Sequence, residues 1–152
     1  MPIQTLNSIR PVEVLLVDDN PTDTFFMKEV LKRCRFPIHS MELRNGEDAL
    51  AYLRHQGEFR KAPDPDVVLL DLNIPRINGW EVLKKMREDM TIGPVPVMVV
   101  TSSHNDADIK MANELNPDVY LVKPMDMMRF PMLIKSIERL WLGQGHWNGN
   151  ER

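Results

Sequence analysis

Cys34 is the only cysteine among 152 residues. A single thiol excludes an internal disulfide framework and suits a reducing, cytoplasmic compartment. Long apolar runs are also missing. The longest span four or five residues, against the roughly 20 that a membrane-spanning helix needs. The start, Met1-Pro2-Ile3-Gln4-Thr5, has no basic segment leading into an apolar stretch, so no secretion signal is expected. Charge of one sign is scarce: 19 basic residues stand against 22 acidic ones, a net charge of −3. That balance offers no basic field for nucleic acid or an anionic membrane. No internal repeat, low-complexity block or interdomain linker breaks the chain, and its length fits one domain. The four histidines, His39, His55, His104 and His146, are scattered and form no metal or phosphorelay pattern.

Four short apolar runs carry the signal. Val14-Leu15-Leu16-Val17 ends in Asp18-Asp19, and Val67-Val68-Leu69-Leu70 ends in Asp71. Val97-Met98-Val99-Val100 ends in Thr101-Ser102, and Val119-Tyr120-Leu121-Val122 ends in Lys123-Pro124. Nearly all-apolar runs of this length read as strands buried on both faces. The segments between them have helical spacing or helix punctuation. Asn20 and Pro21 open a first helix that contains Phe25, Phe26, Val30 and Leu31 and stops at Phe36-Pro37. Residues 38–43 form a further strand with Ser40 and Glu42 as polar alternates. Asn45-Gly46 turns into a helix over 47–54. A surface loop over 56–64, with Gly57 and Pro63, leads to a strand over 66–70. Trp80, Val82, Leu83, Met86 and Met90 share a helical face. Gly93-Pro94 then breaks the chain before a strand over 95–100. Helices are expected over 104–115 and 126–142, with a strand over 118–122 between them.

This is five strand–helix alternations, which predicts an α/β fold with a doubly wound parallel sheet. Residues 1–10 read as a lead-in, 11–142 as the domain and 143–152 as a polar tail too short for a DNA-binding helix-turn-helix. Open parallel sheets bind ligands at the carboxyl ends of their strands, where Asp18, Asp19, Asp71, Thr101 and Lys123 all fall.

The chemistry of that edge is specific. Mg²⁺ takes oxygen ligands in near-octahedral geometry and keeps several waters, so few protein ligands suffice. Asp19 and Asp71 are candidate direct ligands, Asp18 acts directly or through water, and the Asn73 carbonyl is placed to join them. Asp71 is the candidate nucleophile, because carboxylates form acyl phosphates. Lys123 is expected to pair with the transferred phosphoryl group or, without it, with Asp71. The Thr101 hydroxyl is expected to bond another phosphoryl oxygen. Lys123-Pro124 is a candidate cis peptide. Cys34 has two readings: Arg33 and Arg35 lower its pKa, or it is an unreactive thiol at a helix end.

These residues resemble the response-regulator receiver domain over roughly residues 11–142. Val14 to Asn20 resembles the first strand and acidic pair. Leu70-Asp71-Leu72-Asn73-Ile74-Pro75 with Gly79 resembles the phosphoacceptor loop, and Val99 to Ser102 and Tyr120 to Pro124 resemble the remaining motifs. The resemblance implies a flavodoxin-like five-strand, five-helix fold with strand order 2-1-3-4-5. It also implies Mg²⁺-dependent phosphorylation of Asp71 by a sensor histidine kinase, with Thr101 and Tyr120 as the switch pair. Tyr120 read alone is a packed strand aromatic. Asn20-Pro21-Thr22-Asp23, Leu70 to Arg76, Thr101-Ser102-Ser103, Asp108-Ile109 and Arg139 to Leu142 are similar to the single-domain regulators paired with phytochrome kinases. Asn78 departs from the family's usual Asp, and Asp18 from the subfamily's frequent Glu.

An interaction role follows: a homodimer through the fourth helix, fifth strand and fifth helix, with Trp141 or Trp147 adding area. The alternative is that Met132, Leu133, Ile134, Ile137 and Trp141 face the core. Three rival functions are a receiver degenerated to a binding module, an aspartyl-phosphate hydrolase, and a nucleotide- or flavin-binding domain. Asn73 stands where such a hydrolase needs a second acid. No glycine-rich phosphate loop follows the first strand, which argues against the nucleotide reading.

Overall fold

The computed structural model describes residues 10–102, 105–123 and 130–141. Its strands are β1 (Val12–Val17), β2 (Ile38–Leu43), β3 (Val67–Leu70), β4 (Val97–Thr101) and β5 (Val119–Val122). Its α-helices are α1 (Pro21–Lys32), α2 (Gly46–Leu53), α3 (Gly79–Glu88), α4 (Asp106–Leu115) and α5 (Phe130–Trp141). All strand pairs are parallel, in the order β2-β1-β3-β4-β5. The expected fold class and strand order are therefore correct.

Alternation along the strands sends side chains to two separate cores. Leu15, Val17, Val68, Leu70, Val97 and Val99 pack with α2 and α3. Val14, Leu16, Val67, Leu69, Met98 and Val100 pack with α1 and α5. The three central strands are buried throughout except Glu13, which explains their apolar runs. Edge strand β2 is only partly covered, and Glu42 on its α1 side pairs with Lys28 at 2.7 Å.

Caps fix where the helices begin. The side-chain oxygens of Asn20, Asn45, Asn78 and Asn105 each accept from backbone N–H groups in the first turn of α1, α2, α3 and α4. Such a cap contributes about 1 kcal/mol relative to alanine. Asn78 fills this role as well as an aspartate would, so that departure from the family pattern has a local explanation.

Several boundaries and contacts differ from expectation. The loop at 56–64 contains a short 3₁₀ turn, Gly57–Phe59, whose Phe59 ring meets Tyr52 edge-on at 5.4 Å. Helix α3 stops at Glu88, and Met90 is 93% exposed. The Asp89 side chain accepts from the N–H and hydroxyl of Thr91, which forms a turn and ends the helical face before Met90. Trp141 is not spare interface area. It is buried, lies 6.3 Å from the Phe36 ring and sits 5.2 Å beneath the Arg10 guanidinium. Leu133 and Ile137 also enter the core, whereas Met132 stays exposed. Cys34 follows the unreactive reading: burial, reinforced by the Glu138 charge, pushes its thiol up to about 11. The expected start of the last helix at 126, the Lys123-Pro124 peptide geometry and Trp147 lie outside the described residues.

Candidate functional site

The hydrogen-bond ladder carries the site residues into place. Beyond the last strand pairs, the Asp18 N–H donates to the Leu43 carbonyl at 3.0 Å and the Asp71 N–H to the Val17 carbonyl at 2.9 Å. The Lys123 N–H donates to the Thr101 carbonyl at 2.7 Å. β1, β3 and β5 thus each hand the residue after them to one shared edge through backbone bonds.

Asp18, Asp19 and Asp71 each offer an oxygen within 4.8 Å of the others, with Asp19 exposed and the other two buried. The Asp71 Oδ1 accepts from the Asn73 N–H at 3.1 Å, and the Asp18 Oδ1 from the Asn20 N–H at 2.9 Å. The opposite oxygens, Oδ2 of Asp18 and Oδ2 of Asp71, each accept from Lys123 Nζ at 3.1 Å. Sequence reasoning missed the third partner. Asp23 Oδ2, from the first turn of α1, lies 2.5 Å from the same nitrogen. Its signal was its place four residues after Asp19, one helical turn into α1, but an acid there is satisfied by the helix dipole alone.

Two glycines hold the loop after β3. A Cβ at Gly79 would lie 2.5 Å from the Asp71 carbonyl oxygen and 2.6 Å from Leu72 Cα. A Cβ at Gly46 would lie 1.9 Å from the Ile77 carbonyl oxygen. The Gly79 N–H donates to Leu72 O at 3.0 Å and the Gly46 N–H to Pro75 O at 3.3 Å. The loop bearing Asp71 is therefore pressed between the starts of α2 and α3. Gly46 reads as a turn residue in sequence, because its contact with Ile77 is long-range.

The response regulator receiver domain profile matches residues 14–135. The chain belongs to this family. The receiver is 36% identical over 132 residues to response regulator Rcp1 of Synechocystis sp., covering 87% of this chain and 90% of that protein. It superposes on phosphorylated RcpA, a cyanobacterial phytochrome response regulator, with a TM-score of 0.79 at 35% identity, covering 89% of this chain and 96% of that one. Manganese-bound Rcp1 gives 0.77 at 36% identity, covering 87% and 95%. The receiver is thus homologous to the phytochrome response regulators, as the subfamily likeness implied.

Within the receiver, Thr101 is fully buried at the end of β4. The register pairs Val99 with Tyr120 and Thr101 with Val122, so Thr101 and Tyr120 lie on one face of the sheet. Tyr120 is half-buried, and its ring stacks on Trp80 at 6.2 Å and 17°. Trp80 Nε1 in turn donates to Asp108 Oδ1 at 2.7 Å. Trp80 follows Gly79 directly, so one side chain links the Asp71 loop to β5 and α4. The sequence placed Trp80 only on a core face.

The site is electrostatically crowded. Burial pushes the Asp18 carboxyl up to about 6, aided by the Asp71 charge and opposed by the Asn20 N–H and Lys123. Burial disfavours the Lys123 ammonium, but the bond to Asp23 and the charges of Asp18 and Asp71 outweigh it and raise its pKa. The raised Asp18 pKa has a stability consequence. The folded chain binds this proton more tightly than the unfolded chain. The resulting stabilisation is full below about pH 4 and disappears as pH rises through about 6. Asp18→Asn is therefore expected to stabilise the metal-free receiver by about 1–2 kcal/mol at pH 8 relative to wild type. The advantage shrinks towards pH 4. Urea unfolding in chelator at both pH values measures it, and equal differences at both would refute it.

Proposed function

We propose that this receiver accepts a phosphoryl group on Asp71 from the phosphohistidine of a sensor histidine kinase of the phytochrome type. The observation that carries the reading is the Lys123 ammonium seated 3.1 Å from a buried Asp71 whose other oxygen is fixed by the Asn73 N–H. An oxygen of the Asp71 carboxylate attacks phosphorus, the P–N bond of the donor breaks and its electron pair returns to the imidazole nitrogen. Lys123 neutralises charge on the group in flight, and the buried Thr101 stands at the neighbouring strand end to bond a phosphoryl oxygen.

Asp18, Asp19 and Asp71 supply hard carboxylate oxygens close enough together for Mg²⁺, with the Asn73 carbonyl as a further donor. The exposed face of Asp19 leaves room for the waters this cation keeps. Bound there, Mg²⁺ supplies positive charge at the acceptor oxygens. Manganese-bound Rcp1 and phosphorylated RcpA support this reading by analogy with homologues.

In this reading the receiver is a signalling regulator. Its output is a changed surface on α4, β5 and α5, reached through Thr101 and Tyr120. Tyr120→Ala is the control, since partner binding that still responds to phosphorylation without the ring would end this role for it. The same surface is the proposed homodimer face, and light scattering at tens of micromolar decides it. Asn73 carries no titratable group where a phosphohydrolase needs one, which disfavours turnover of an external substrate. Transfer of label from an autophosphorylated phytochrome-type kinase to this receiver, lost in Asp71→Asn, tests the function.

A further inference from the structure

Lys123 has three N–H donors and three carboxylate partners. Two of them, Asp18 and Asp71, belong to the acidic triad, whereas Asp23 stands outside it on α1. Asp23 nevertheless makes the shortest contact, at 2.5 Å against 3.1 Å for each of the others. Its own position is set by the helix cap, because its backbone N–H donates to Asn20 Oδ1 at 3.2 Å. Asn20 also donates its N–H to Asp18, so one short turn fixes both carboxylates against the ammonium.

We infer that Asp23 is a positioning residue that restrains Lys123 and slows phosphoryl entry. The inference rests on the phosphoacceptor role proposed for Asp71. An incoming phosphoryl donor is an anion and meets three carboxylates, Asp18, Asp23 and Asp71, on one ammonium, with Asp19 beside Asp18 and Asp71. Asp23 acts against it twice. It adds a negative charge near the path of the donor, and it occupies the donor N–H that makes the shortest bond in the resting site. Neither effect involves the nucleophilic oxygen, and Asp23 touches no reacting atom.

The test is the initial rate of adduct formation on the full chain, with Mg²⁺ and acetyl phosphate, read by intact mass. Asp23→Asn is expected to accelerate it at least about threefold, because one negative charge is removed at short range in a partly buried site. Asp23→Glu, which keeps the charge, is expected to stay near the wild-type rate. The ratio of Asp23→Asn to wild type is expected to narrow in high salt. Mere damage to α1 would slow the reaction and lower the thermal midpoint, so a gain in rate separates restraint from structure. An unchanged or slower Asp23→Asn with its fold intact by circular dichroism would overturn the inference while leaving the Asp71 reading in place. Acceleration by Asp23→Glu equal to that by Asp23→Asn would also overturn it. No adduct on either wild type or Asp23→Asn would overturn the inference and leave the Asp71 reading to the kinase transfer assay.

Discussion

Lys123→Met is expected to lower the stability of the metal-free receiver by about 3 kcal/mol near neutral pH, the scale for breaking a buried ion pair by removing one partner. It is also expected to cut phosphoryl transfer to Asp71 by more than about tenfold, the loss of one charge-stabilising donor at the reacting group. The structural reason is the same for both effects. Asp18, Asp23 and Asp71 converge on one ammonium, and Asp18 and Asp71 are only 6% and 5% exposed. Without Lys123 these carboxylates repel one another with little water to screen them. Protonation relieves that repulsion, so the stability deficit is expected to shrink as pH falls below about 6, where Asp18 takes up its proton even with the lysine present. Added Mg²⁺ is expected to recover stability as well. Urea unfolding at about pH 5 and pH 8, with chelator or with Mg²⁺, reads all three. A deficit independent of both pH and cation would mean that Lys123 acts by packing rather than by charge.

Gly79→Ala has the second-largest expected effect, a loss of about 3 kcal/mol, the upper range for forcing extra atoms into a packed interior. For a domain of this size that lowers the thermal midpoint by about 6–12 °C. The new methyl would meet the Asp71 carbonyl and Leu72 Cα, both backbone atoms, so no rotamer change relieves the clash. The Asp71 loop must move instead, and slower phosphoryl transfer is expected with the lost stability. Met90→Ala provides the contrast. Met90 is 93% exposed and its truncation is expected to change the midpoint by less than about 2 °C. Equal midpoints for Gly79→Ala and wild type would show that the glycine contact is slack.

The sheet was legible because its central strands are buried on both faces and so are apolar without alternation. The same logic located the site, since each such strand ends in a polar residue and parallel order brings those ends together. What sequence periodicity left hidden depends on contacts between distant segments. Met90 keeps the helical phase of Trp80 and Met86, but the Asp89 turn ends the helix first. Trp141 reads as surplus apolar area in the sequence, but Phe36 and Arg10, both distant in the chain, cover it. Of the two readings of Cys34, the unreactive thiol holds, because burial outweighs the neighbouring arginines. Asp23 looked like an ordinary first-turn acid, and only the fold brings it within reach of a lysine a hundred residues later.

The most direct measurement is intact mass after incubation with Mg²⁺ and acetyl phosphate, comparing wild type with Asp71→Asn. The predicted result is a single phosphoryl adduct that disappears in the variant and in chelator. No adduct on wild type with Mg²⁺ demonstrably bound would favour a kinase-dependent donor or a degenerate binding module, whereas an adduct that persists in Asp71→Asn would contradict Asp71 as the acceptor in this site.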